Sequence, residues 1–110
     1  MKRTITLLLL FFALLSVSAK VKITRIDPTD WYVGMKDPTL QLMVYGEGIR
    51  DAEVSTDYPH ARIDSLVRLD SPNYLLVYMN LEGAQPGEMR LQFKLNGSKL
   101  TERYVLHARA

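Results

Sequence analysis

In this 110-residue chain, the side chains that could bind a metal or carry out acid–base chemistry are two histidines and twelve carboxylates, since there is no cysteine. His60 and His107 are far apart in the sequence, and neither has a second histidine close by. Zinc sites usually gather three or four protein ligands. We therefore predict that both histidines are solvated and that the chain binds no metal and no cofactor.

Paired carboxylates could support glycoside hydrolysis, which needs two carboxyl groups about 5–10 Å apart, one of them with a raised pKa. The pairs that the spacing suggests are Asp27 with Asp30 and Asp64 with Asp70. Each lies in a polar, turn-like stretch, where an aspartate commonly caps a turn. A (β/α)₈ barrel also takes about 250 residues. The sequence therefore predicts that this chain is not itself an enzyme.

Aromatic side chains are the better candidates for a contact surface. Trp31 and Tyr32 could stack on sugar rings, and aromatic residues and methionine are enriched at protein interfaces. The alternative is that Trp31 fills one end of the core. We favour this alternative because tryptophan is usually highly buried. The candidates for carbohydrate or partner contact are Trp31, Tyr32, Met35 and Tyr58, and Met43 and Tyr74 suit the same kind of surface.

Residues 1–19 are typical of a secretory signal peptide. Lys2 and Arg3 precede an apolar stretch over residues 5–15, and Val17-Ser18-Ala19 supplies the small residues that signal peptidase needs. The alternative is a membrane anchor, but the apolar stretch is shorter than the roughly 20 residues that span a bilayer. We predict cleavage before Lys20, export to the periplasm, and no membrane span afterwards.

The predicted mature chain, residues 20–110, has a balanced charge. Two of the 14 lysines and arginines fall in the signal, which leaves 12 basic residues against 12 acidic ones. Nucleic-acid binding relies on clustered basic residues, so we predict no nucleic-acid partner. This length suits one small domain. Without cysteine it must be stabilised by its core alone.

The mature chain reads as a series of short strands separated by turn residues. Pro86-Gly87 suits a type II turn, and Asn96-Gly97 a two-residue hairpin. The stretch 73–81 is apolar on both faces, which fits a central strand or a buried helix segment; the flanking turn residues favour the strand. Strands are predicted near residues 21–26, 40–45, 52–54, 63–69, 73–81, 89–95 and 100–107. This predicts an all-β, immunoglobulin-like antiparallel β-sandwich of about seven strands.

Several short blocks resemble the N-terminal module of bacterial neopullulanases and cyclomaltodextrinases of the α-amylase superfamily, in particular the Bacteroidetes-type forms. The most specific block is Trp31-Tyr32-Val33-Gly34-Met35, although a second tryptophan would be expected where this chain has Tyr32. The others are residues 40–46, 51–55, 57–59, 71–75 and 86–87. The resemblance also implies an immunoglobulin-like sandwich. The catalytic acids of that family lie in its barrel, and none is assigned here.

The resemblance implies a non-catalytic module of a starch- or maltodextrin-degrading glycoside hydrolase. In that role the domain would contact the catalytic barrel or a second subunit, assist dimerisation and help to shape the substrate cleft. Maltodextrin itself is then a possible ligand. The alternative is a self-standing exported module that binds carbohydrate or another protein directly.

Overall fold

The computed structural model describes residues 21–109, which contain eight β-strands and one 3₁₀ turn, Ile49–Asp51. The predicted signal peptide and the start at Lys20 lie outside these residues. No helix within the described range is long and apolar enough to cross a membrane. The strands are β1 (Arg25–Asp27), β2 (Trp31–Val33), β3 (Thr39–Tyr45), β4 (Glu53–Ser55), β5 (Arg62–Arg68), β6 (Tyr74–Asn80), β7 (Gly87–Leu95) and β8 (Ser98–Ala108).

The strands form two four-stranded sheets that pack as a sandwich. Sheet 1 has the order β1-β3-β6-β5, and sheet 2 the order β2-β8-β7-β4. The predicted all-β sandwich is confirmed, with eight strands instead of about seven. One pair departs from the antiparallel prediction, because β2 runs parallel to β8 with Trp31 beside Leu106.

The beginning of the domain is where the predicted strand boundaries are most in error. A single strand over 21–26 was expected, whereas β1 begins only at Arg25 and the chain then crosses to sheet 2 as β2. Pro28 lies at the crossing, where a residue without a backbone N–H ends strand pairing readily. The Tyr104 hydroxyl donates a hydrogen bond of 2.8 Å to the Pro28 carbonyl, which ties the crossing to β8.

The core lies between the sheets and follows the alternation of the long strands. Inward side chains on β3, β6 and β7 are buried, and their outward neighbours are more exposed. Burying one such apolar side chain stabilises the fold by about 1.5–3 kcal/mol. The buried side chains of these three strands are Leu40, Leu42, Val44, Leu75, Val77, Met79, Met89, Leu91 and Phe93.

Arg68 joins the two sheets along one open side of the sandwich. Its guanidinium donates hydrogen bonds to the carbonyls of Arg50 and Ala52, the latter at 2.9 Å. It also forms an ion pair of 3.2 Å with Glu53 on β4. Hydrogen bonds from a charged donor are stronger than neutral ones, so Arg68 holds the β5 edge of sheet 1 against the β4 edge of sheet 2.

Candidate functional site

One end of the sandwich gathers loops that carry two of the predicted contact residues, Met35 and Tyr58. Three loops meet there, residues 34–38, 56–61 and 81–86, and we call this the loop end. The Leu81 amide donates a 2.8 Å hydrogen bond to the Pro38 carbonyl. The Tyr58 hydroxyl donates one of 2.6 Å to the Gln85 carbonyl. Strand β8 finishes at the same end, where Ala108 pairs with Val33.

The four predicted contact residues take different positions at the loop end. Tyr32 and Met35 are exposed by 47% and 36%. Both line a cleft of about 150 Å³ together with residues 81–83. Tyr58 is half-buried and lines a different cleft. Trp31 is half-buried and packs against the core, so the structure groups only Tyr32 and Met35.

Trp31 and Tyr32 point to opposite faces of β2, as neighbours on a strand must. Trp31 shares the inward side with the buried Val33, whereas Tyr32 faces outward. The Tyr32 ring lies 5.4 Å from the His107 ring, centroid to centroid. His107 Nε2 lies 2.6 Å from the Asp30 carboxylate. Tyr32 is therefore supported on one side by an Asp30–His107 contact and is open on the other.

The two histidines differ in their surroundings. The prediction of a solvated histidine is confirmed for His60, which is exposed. His107 also keeps part of its ring in solvent, with 43% of the side chain exposed, and β8 places it next to Asp30. Within residues 21–109, no group of three or more histidines and carboxylates is placed to hold a metal ion.

Three of the four carboxylates considered as pairs contact a separate arginine or histidine instead. Asp27 forms an ion pair of 2.8 Å with Arg25, and Asp64 one of 2.7 Å with Arg62. Both lie within strands, β1 and β5, so their predicted turn positions are wrong. Asp30 contacts His107, and Asp70 is exposed.

Among the described residues, Tyr104 has the titratable side chain whose pKa is shifted most. Burial raises its pKa well above the usual tyrosine range, and the Asp30 carboxylate adds to the shift. The unfolded chain, with a tyrosine pKa near 10, loses this proton first as the pH rises. The stability from Tyr104 is thus fully present below about pH 10 and is lost as the pH rises through its folded pKa.

We therefore expect one of the six tyrosines to ionise after all the others in an ultraviolet absorbance titration of the folded protein. Tyr104→Phe should remove that last step and leave the earlier ones unchanged. It should also reduce the loss of stability on going to alkaline pH, measured by urea unfolding. Simultaneous ionisation of all tyrosines while the fold persists would contradict the burial of this hydroxyl.

The outer face of sheet 1 carries an unexpected apolar surface, which we call the tyrosine face. Across the strands, Tyr45 stands opposite Tyr74, with ring centroids 4.9 Å apart. Leu76 on β6 lies between Met43 on β3 and Val67 on β5. The tyrosine face consists of Met43, Tyr45, Val67, Tyr74, Leu76 and Tyr78.

The two outer faces of the sandwich therefore differ in polarity. An antiparallel sheet with one face on the core usually presents polar residues on the other. Sheet 2 follows this rule, with Glu88, Arg90, Gln92 and Lys94 facing outward on β7. Sheet 1 does not. Of the tyrosine face, the sequence singled out only Met43 and Tyr74; the apolar pattern on both faces of β6 is the signal for the rest.

The family model for the N-terminal domain of cyclomaltodextrinase matches residues 25–110. The chain belongs to the cyclomaltodextrinase N-terminal domain family. The predicted resemblance to the N-terminal module of cyclomaltodextrinases is thereby confirmed, and the closer resemblance to the Bacteroidetes-type forms stays a prediction.

Domains of the cyclomaltodextrinase N-terminal family are non-catalytic accessory modules of amylase-type glycoside hydrolases. The match begins at the first residue of β1 and includes all eight strands, so both the tyrosine face and the loop end lie within it. A chain of 110 residues does not contain the catalytic barrel, which takes about 250. The family match does not by itself assign a role to the tyrosine face or to the loop end.

Proposed function

We propose that this domain docks on the catalytic barrel of an amylase-type enzyme through the tyrosine face and helps to shape the substrate cleft from the loop end. The observation that carries the proposal is the apolar outer face of sheet 1, where Val67 is exposed and the other five residues are half-buried, whereas the outward residues of β7 on sheet 2 are polar. Contiguous exposed apolar surface commonly marks an interaction site. Membership of an accessory-domain family supports a barrel as the partner.

The composition of the tyrosine face suits an interface. Tyrosine and methionine are enriched at protein contacts, where an apolar ring is buried and the hydroxyl remains at the wet edge. Arg25 lies at the margin, with its guanidinium 5.9 Å from the Tyr45 ring centroid. If the barrel on which this face docks belongs to a second subunit, the same contact also assists dimerisation.

The position of the loop end supports a role at the substrate cleft. In an enzyme that carries this domain at its N-terminus, the chain passes from β8 towards the barrel. Strand β8 ends beside Val33, next to the exposed Tyr32 and Met35. These two side chains are therefore near the point where the barrel begins, and their maltodextrin contacts would lie at the rim of its cleft.

We also propose that the domain is exported and that the assembled enzyme works in the periplasm. The support is the pattern of residues 1–19, with a basic start, an apolar stretch and small residues before Lys20. N-terminal sequencing of protein recovered from the periplasm should begin at Lys20.

The docking proposal is tested by Leu76→Arg, which places a charge in the middle of the tyrosine face. The barrel of the enzyme that carries this domain is produced separately, and its association with the domain is measured by calorimetry. We expect about 100-fold weaker association or more, because central interface residues dominate affinity. The melting temperature should change little, since Leu76 points away from the core.

The matched control is Val105→Arg, which introduces the same charge at an exposed apolar position on the outer face of sheet 2. It should leave the association unchanged. If Leu76→Arg binds like the unaltered domain while Tyr32→Ala abolishes binding, the barrel docks on the loop end and the proposal for the tyrosine face is wrong.

A further inference from the structure

The outer face of sheet 2 contains a polar groove beside β4 and the loop that follows it. Two clefts of about 470 Å³ and 290 Å³ adjoin there and share Asp57 and Arg90. Tyr58 forms a wall of the first cleft, and Gln92 and Thr101 lie in the second. We call this the polar groove, consisting of Asp57, Tyr58, Arg90, Gln92 and Thr101.

Arg90 lies at the junction of the two clefts, in a position that lowers the stability of the fold. It stands directly opposite Arg103 in the β7–β8 ladder, and like charges in that position are destabilising. Arg103 forms an ion pair of 3.2 Å with Glu88. Within residues 21–109, the Arg90 guanidinium has no carboxylate within ion-pair distance, and neither does Asp57 have a basic group.

The walls of the groove are nevertheless held in place. The Thr56 hydroxyl donates a 2.9 Å hydrogen bond to the Arg90 carbonyl and accepts one of 3.3 Å from the Tyr58 amide. The Tyr58 hydroxyl donates to the Gln85 carbonyl at 2.6 Å. Because the Tyr58 wall is already positioned, it loses less conformational entropy when the groove binds a ligand.

We infer that the polar groove binds a neutral oligosaccharide, a segment of maltodextrin. Each sugar hydroxyl donates and accepts a hydrogen bond. The groove offers the Arg90 guanidinium as donor, the Asp57 carboxylate as acceptor, and the Gln92 amide as both. The charges of the groove balance, because Arg90 offsets Asp57, and Glu88, which also lines the first cleft, is paired with Arg103. This suits a neutral ligand better than a polyanion, and the Tyr58 ring can pack on a sugar face.

The choice of maltodextrin rests on the proposed function, because the enzymes that carry this domain act on such glucans. The groove is on the opposite sheet from the tyrosine face, so a barrel docked on sheet 1 leaves it open. The domain would thus hold a distant part of a glucan chain while another part enters the catalytic cleft, which raises the local substrate concentration.

The test uses the full chain and maltoheptaose, with binding followed by calorimetry and by amide chemical shifts in NMR. Shift changes should fall on residues of the polar groove and not on the tyrosine face. Arg90→Ala should weaken binding about tenfold or more, because it removes charged hydrogen bonds. Lys94→Ala, on the same face of β7 but outside both clefts, should leave binding and melting temperature unchanged.

Absence of binding at millimolar maltoheptaose, or equal binding by Arg90→Ala and the unaltered chain, would overturn the inference. So would equal binding of cellohexaose, since a β-linked glucan has a different shape. The Leu76→Arg variant separates the two proposals: it should lose barrel association and keep maltoheptaose binding. Loss of both in that variant would place the sugar on sheet 1 and would also overturn the inference.

Discussion

Phe93→Ala is expected to lower the free energy of unfolding by about 3–5 kcal/mol, as large-to-small changes of buried aromatic residues do. Phe93 has no exposed surface and lies in the middle of sheet 2, between Val54 on β4 and Leu100 on β8. A domain of this size is stabilised by only about 5–10 kcal/mol in total. Urea unfolding followed by circular dichroism should show a large fall in the transition midpoint.

The matched control for Phe93→Ala is Lys94→Ala, the next residue along β7. Its side chain points to solvent, and exposed substitutions usually change stability by less than about 0.5 kcal/mol. A reversed order of the two effects would mean that β7 pairs one residue out of register, because a one-residue slip exchanges the two faces of a strand.

The hairpin of β7 and β8 shows what the sequence could predict. Asn96-Gly97 specifies a two-residue turn, and the strict alternation after Met89 assigns each face. The structure places Leu95 opposite Ser98, on either side of that turn. These signals are local, since the turn and the two strands that it joins are consecutive in the sequence. The pairing therefore followed from the sequence alone.

Strand β2 shows why other parts of the fold could not be predicted. Its three residues, Trp31–Val33, pair with residues of β8 that lie 75 positions later, and in the parallel direction. The sequence showed the aromatic pair Trp31 and Tyr32, but this strand was not among those predicted. Nothing in three residues specifies which sheet they join, because that depends on where the crossing at Pro28 leaves the chain.

The tyrosine face was only partly visible in the sequence for a similar reason. The apolar pattern on both faces of residues 73–81 fitted a central strand or a buried helix segment, and the flanking turn residues favoured the strand. In the structure only one face of β6 is covered, by sheet 2. Whether Leu76 and Tyr78 meet another apolar side chain depends on the register of β3 and β5, and this is a property of the sheet rather than of any single strand.

Trp31→Ala is expected to reduce stability much more than Tyr32→Ala, although the residues are adjacent. Trp31 packs half-buried against the core, so its loss should cost about 3 kcal/mol, at the lower end of the range for buried aromatic residues. Tyr32 is 47% exposed, and its loss should change stability by less than about 1 kcal/mol. Thermal melts of both variants measure this difference.

Enzyme kinetics should show the reverse order for the two variants. In the assembled enzyme, Tyr32→Ala should raise KM for maltodextrin, because Tyr32 and Met35 line the exposed cleft at the loop end. Trp31→Ala, assayed well below its melting temperature, should leave KM nearly unchanged, since Trp31 faces the core. An unchanged melt with a raised KM for Trp31→Ala would mean that this side chain turns outward to the substrate. The contact surface would then include both aromatic residues. Val33 would be the only side chain of β2 that packs in the core.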